Sequence, residues 1–157
     1  MRGTDTKVER EPLSGRKLRE RALDLLSRRD HSKLELSRKL RQKGGEAGEI
    51  SELIESLAER GYLDDRRFAE NFVRYRADKA WGRRRYRQEL AKRGVDSEII
   101  SEVLETSPEI NQDALNDKLQ RLVERETRKG KPADKIAASL ARKGFALPAI
   151  RKVLGKF

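Results

Sequence analysis

Three Leu-to-Gly endings recur at a fixed interval along this chain. They are Leu40 to Gly44 (LRQKG), Leu90 to Gly94 (LAKRG) and Leu140 to Gly144 (LARKG), fifty residues apart both times. The register holds without a gap on either side. Leu36, Tyr86 and Ile136 precede the endings, and Ile50, Ile100 and Ile150 follow them, as do Leu53, Val103 and Val153, then Ile54, Leu104 and Leu154. Upstream, Ala22, Phe72 and Leu122 align, and so do Leu23, Val73 and Val123. A period of this size restricts the chain to tandem units, each burying an apolar face partly against its neighbours.

From Arg16 onward apolar residues recur three and four apart, and nothing alternates with period two for long enough to make a sheet. Each unit therefore reads as three helices. In the middle one, Asp64 or Asp65 caps a helix expected to run to about Ala80, and Gly82 marks a break. A second helix then runs to about Arg93, Gly94 supplies a left-handed C-terminal residue, and Asp96 or Ser97 opens the third. Positions 36 and 40 and their equivalents share one helix face, and positions 50, 53 and 54 form another stripe; together these make each unit's core. Positions 72 and 73 point about 100° apart, which widens the apolar arc of the first helix enough to touch a neighbouring unit.

The expected fold is all-α: three tandem three-helix repeats over residues 16–63, 64–106 and 107–157, in an elongated, curved array behind a mobile arm at residues 1–15. Tyr62, Phe68, Phe72, Tyr75 and Tyr86 recur at helical intervals and read as core. Trp81 reads as a packing plug, and His31, just before the plausible N-cap Ser32, as a surface turn residue.

Chemistry is constrained by what is missing. There is no Cys and only one His, which removes disulfides, thiolate zinc sites, cysteine nucleophiles and two-His metal motifs. Asp64 and Asp65 are adjacent and do not face each other across a substrate. Neither Gly44-Gly45 nor Arg128 to Pro132 (RKGKP) has phosphate-loop spacing. The reading is a protein that is not an enzyme and uses no cofactor or metal. No run approaches the ~18 apolar residues of a membrane span, and the first residues lack a signal-peptide stretch, so a soluble cytoplasmic protein is expected.

Lys and Arg number 38 against 27 Asp and Glu, a formal charge of +11, which favours a polyanionic partner. The finer distribution says more. Between Arg74 and Arg93 stand nine bases, Arg74, Arg76, Lys79, Arg83, Arg84, Arg85, Arg87, Lys92 and Arg93, against only Asp78 and Glu89. Glu46 to Glu59 holds five glutamates and no base. A solvated helix mixes signs to form i,i+4 pairs worth about 0.2–0.5 kcal/mol each, so segregated charge points to a surface for an anion. With Tyr86 and Leu90 facing the core, Arg84 points nearly opposite, Arg85 and Arg87 lie to the sides and Arg83 sits nearer the core edge. Outward guanidinium groups fork onto phosphate or carboxylate, which Lys does not do bidentately. These nine bases are the candidate partner- or DNA-binding residues.

The segment GYLDDRRFAENFVRYRADKAWGRRRYRQELAKRGV, Gly61 to Val95, resembles the core signature of the RecX family, bacterial regulators of the RecA recombinase. The resemblance extends over about residues 18–157. It implies a non-enzymatic inhibitor, acting as a monomer, that binds the RecA filament on single-stranded DNA along its helical groove. There it would restrain ATP hydrolysis, strand exchange and co-protease activity, with weak direct binding to DNA possible. The competing reading is a stand-alone DNA-binding protein, because three-helix units with a basic second helix can resemble helix-turn-helix modules.

Overall fold

The computed structural model describes residues 13–156. The expected arm therefore lies, for residues 1–12, outside the described residues. Among the described residues there are nine α-helices, one short 3-10 turn and no strand. The chain divides into two compact units, Met1–Asp64 and Asp65–Phe157.

The first unit holds α1 (Gly15–Arg28), α2 (Lys33–Gln42) and α3 (Ala47–Glu59), closed over Leu18, Ala22, Leu36, Leu40, Ile50, Leu57 and Leu63. Ser32 starts α2 by accepting the Glu35 amide at 3.1 Å. Glu46 starts α3 by accepting the amides of Gly48 and Glu49 at 3.0 and 3.2 Å. Those two bonds hold its carboxyl below the usual range.

His31 is buried rather than on the surface. Its Nε2 lies 3.1 Å from Lys39 Nζ and its Nδ1 3.0 Å from the Arg29 carbonyl. An ammonium only donates, so Nε2 accepts and Nδ1 carries the proton, which leaves the ring neutral. Burial lowers its pKa, the bond to Arg29 opposes that, the charges of Arg29 and Lys39 lower it further and Glu35 counteracts them. The unfolded chain therefore takes up this proton at a higher pH than the folded one. The stabilisation is fully present above the unfolded value of about 6.5 and is lost as pH falls below it. Melting of the first unit should shift downward between about pH 7.5 and about pH 5.5, and His31→Gln should remove most of that slope.

The second unit holds α4 (Asp65–Tyr75), α5 (Arg83–Lys92), α6 (Ser97–Thr106), the 3-10 turn Pro108–Ile110, α7 (Gln112–Arg128), α8 (Ala133–Arg142) and α9 (Leu147–Leu154). Its two helix triplets share one apolar core. The widened arc works as its spacing implies, since Phe72, Val73, Leu122 and Val123 are all buried. Their counterparts in the first unit differ: Ala22 is buried but Leu23 is only half-buried.

Two expectations need correcting. α4 stops at Tyr75 and does not reach Ala80. The amides of Arg76, Ala77 and Lys79 bond to carbonyls three residues back, and the Arg76 carbonyl accepts the Tyr86 hydroxyl at 2.6 Å, so the chain tightens and turns. Tyr75 and Tyr62 are also not core, being 73% and 52% exposed. Tyr75 is the last helical residue, with no further turn to cover it, and Tyr62 lies in a turn whose buried member is Leu63.

α5 docks head-on against the end of α8. The Gly82 amide donates to the Lys143 carbonyl at 2.9 Å and the Arg84 amide to the Gly144 carbonyl at 3.3 Å. Gly82 caps α5 without a side chain, so these carbonyls do the work of a cap. A Cβ at Gly82 would collide with the Gly144 carbonyl group, and one at Gly144, whose φ is +96°, with the Arg85 amide.

One cap is missing from the repeat register. Glu46 and Asp96 accept first-turn amides of α3 and α6, whereas the equivalent Ala146 gives α9 no side-chain acceptor. Ala146 is exposed and extended, with φ −71° and ψ 133°, a conformation that suits a capping carboxylate. Ala146→Asp should add about 1 kcal/mol, read in a thermal melt at neutral pH as a rise of roughly 2–4 °C.

Candidate partner-binding surface

The nine bases of the middle repeat separate into two populations. Glu89 sets the division: its side chain is nearly buried and gathers Arg93 at 2.8 Å, Arg85 at 3.1 Å and Lys92 at 3.5 Å. Its carboxyl sits below the usual range, chiefly through the Arg93 hydrogen bond, with Lys92 and Arg85 adding to the effect against burial.

An aromatic cluster engages the same cations. The guanidinium of Arg76 lies 3.8 Å and that of Arg93 4.7 Å from the Phe72 ring centroid, and Arg85 lies 5.3 Å from that of Trp81, distances at which ring quadrupoles attract cations. Trp81 stacks on Phe72 at 6.3 Å and meets Tyr86 edge-on at 5.4 Å. It is a plug, as the sequence indicates. Burial pushes the Tyr86 hydroxyl up to about 12. Arg83 ties α5 to the 3-10 turn by donating to the Ile110 carbonyl at 3.0 Å.

The remaining bases are exposed. Arg74 keeps a loose contact with Glu109 at 3.8 Å, and Lys79 and Lys92 lie at the surface. Arg84 and Arg87 face outward from α5, with Arg87 donating to the Ser101 hydroxyl at 3.1 Å. The structure thus brings Arg83, Arg84 and Arg87 together on one wall, and engages Arg76, Arg85 and Arg93 in the aromatic and Glu89 contacts.

That wall borders a groove of about 600 Å³. Opposite stand Leu115 and Leu119 of α7 and Leu147 and Ala149 of α9, with Phe145 beside them; no acidic side chain lines it. Leu147 is 46% exposed. Such a groove can take an anionic group on the guanidinium forks with an apolar group beside it.

A second cationic hollow, of about 510 Å³, is lined by Lys129, Lys131, Lys135, Ser139 and Arg142 among others. Lys129 and Lys131, with Arg125, converge on Glu126. Chiefly Lys131 and then Lys129 hold its carboxyl at about 2. Lys135 and Arg142 are then the cations this face offers outward. Among the described residues no group of three or more His, Asp or Glu is placed to hold a metal ion, and no helix is long and apolar enough to cross a membrane.

The apolar wall of the groove and the buried role of Glu89 were not found by charge counting. A signal for the groove was present in the fifty-residue register: Ala47 and Ser97 are replaced there by Leu147, and Glu46 and Asp96 by Ala146.

Two family models match the chain. The one described as RecX, first three-helix domain, matches residues 19–57, and the one described as RecX, second three-helix domain, residues 64–104. The sequence is 40% identical over 139 residues to "Regulatory protein RecX" of Halorhodospira halophila, covering 85% of this chain and 84% of that one. To the protein of the same name from Pseudomonas entomophila it is 36% identical over 142 residues, covering 87% and 89%. The fold is similar to the crystal structure of RecX from Lactobacillus salivarius, with a TM-score of 0.77 and 25% identity over 89% of this chain and 94% of that one.

Proposed function

The chain belongs to the RecX family, and on that premise we propose that it is a non-enzymatic modulator of the RecA recombinase that binds the recombinase filament on single-stranded DNA. It works as a cytoplasmic monomer, lies along the filament's helical groove and restrains ATP hydrolysis, strand exchange and co-protease activity. The observation that carries this reading is the sorting of bases on α5. Arg85 and Arg93 are tied to Glu89 and the aromatic cluster, while Arg84 and Arg87 are exposed beside the groove.

A chain of similar three-helix units suits a helical polymer, because each unit can meet a successive protomer and individually weak contacts then reinforce one another through effective concentration. Inhibition requires that the bound chain favour one filament conformation over those visited during nucleotide turnover, since equal affinity for all of them shifts nothing.

A second reading is direct binding to DNA, and the Lys135 and Arg142 face of α8 favours it. The two readings separate by salt. Affinity for bare duplex falls with a log-log slope near −0.9 per neutralised phosphate, whereas a filament binder still needs the recombinase at moderate salt. The test is the ATPase of RecA on single-stranded DNA titrated with this protein. Progressive inhibition is expected; an unchanged rate at several-fold excess would leave only the DNA-binding reading.

A further inference from the structure

We propose that the groove between α5, α7 and α9 is a docking site for a short peptide segment of a partner protein, one that carries carboxylates next to a large aliphatic side chain. This deepens the preceding reading, on which it rests, by naming the kind of segment that the outward arginines meet.

Charge comes first. Arg83, Arg84 and Arg87 line one wall and no Asp or Glu lines any part of the groove, although acids make up 27 of the 157 residues. Three like-charged side chains on one wall repel each other, and an acidic segment relieves that repulsion while taking forked hydrogen bonds. Arg83 is already committed to the Ile110 carbonyl, so Arg84 and Arg87 are the groups that receive the carboxylates.

The opposite wall selects the rest of the ligand. Leu147 is 46% exposed beside Leu115, Leu119 and Phe145, and a neighbouring aliphatic side chain would remove that apolar surface from water. Leu147 also departs from its own repeat, where the equivalents are Ala47 and Ser97. Neither core packing nor helix formation asks for the larger residue at an exposed first helical position.

Nucleic acid fits this groove less well. Single strands are held by stacking bases on exposed aromatic rings, and the aromatic residue lining this groove, Phe145, is only 7% exposed. Aliphatic walls opposite arginines match a protein segment with both charge and apolar bulk, the pattern by which amphipathic helices enter grooves.

The test uses the full chain and a fluorescent peptide of about 16 residues, about 24 Å if helical, built from Glu and Leu at helical spacing. Saturable binding is expected, at least tenfold weaker when the Glu are replaced by Gln or the Leu by Ser. Leu147→Ser should weaken binding at least fivefold with an unchanged melt. Ala146→Asp, which stabilises the fold, should also weaken it by placing a carboxylate at the groove. Binding indifferent to Leu147→Ser, or equal binding of a Glu-only peptide, would overturn the proposal. So would displacement of the peptide by an equal concentration of oligothymidylate, or a dimer that Leu147→Ser dissolves. RecA is absent from this assay, so peptide binding without ATPase inhibition in the filament titration would sink the functional reading alone, and inhibition without peptide binding would sink this one alone.

Discussion

Gly82→Ala is expected to destabilise the second unit by about 3 kcal/mol or more, lowering its melting temperature by roughly 12 °C or more at its size. The new methyl falls on the Gly144 carbonyl group, and backbone on both sides leaves nothing flexible to yield. Separating the two segments also breaks the bonds from the Gly82 and Arg84 amides. A contrast lies in the first unit: a Cβ at Gly45 would meet only the ends of the Ile50 and Leu18 side chains, at 2.9 Å. Those can rotate, so Gly45→Ala should cost about 1 kcal/mol, within the overpacking range. Thermal melts of the two variants, read with hydrogen exchange to assign the loss to its unit, check the difference.

Arg84→Glu combined with Arg87→Glu should leave the melt within about 2 °C of wild type, because exposed substitutions away from structural contacts change stability little. The same pair should weaken filament binding and ATPase inhibition together, by about thirtyfold or more, since reversing charge at a complementary interface costs several kcal/mol. Arg93→Ala is predicted to behave in the opposite way. It leaves Glu89 nearly buried without its shortest partner and uncovers the Phe72 ring, so its effect should appear first in stability.

Periodicity made much of this fold legible, because burial follows the repeat. Leu36, Tyr86 and Ile136 are all buried, as are Leu40, Leu90 and Leu140. Where reading failed, tertiary contacts decided. His31 is polar and next to a cap, which says surface, yet Lys39 and the Arg29 carbonyl satisfy both ring nitrogens and permit burial. Tyr75 shares the spacing of core aromatics but falls where α4 ends, a boundary set partly by the Tyr86 hydroxyl ten residues on. The basic stretch was visible as composition, but its division depends on Glu89 turning inward, and no count of charges carries that information.

The central claim is that Arg84 and Arg87 face the recombinase filament. Its most direct test is co-sedimentation of wild type and of the Arg84→Glu, Arg87→Glu double variant with RecA assembled on single-stranded DNA at moderate salt. Wild type should pellet with the filament and the folded double variant should remain in the supernatant. Equal pelleting of both proteins would contradict the account.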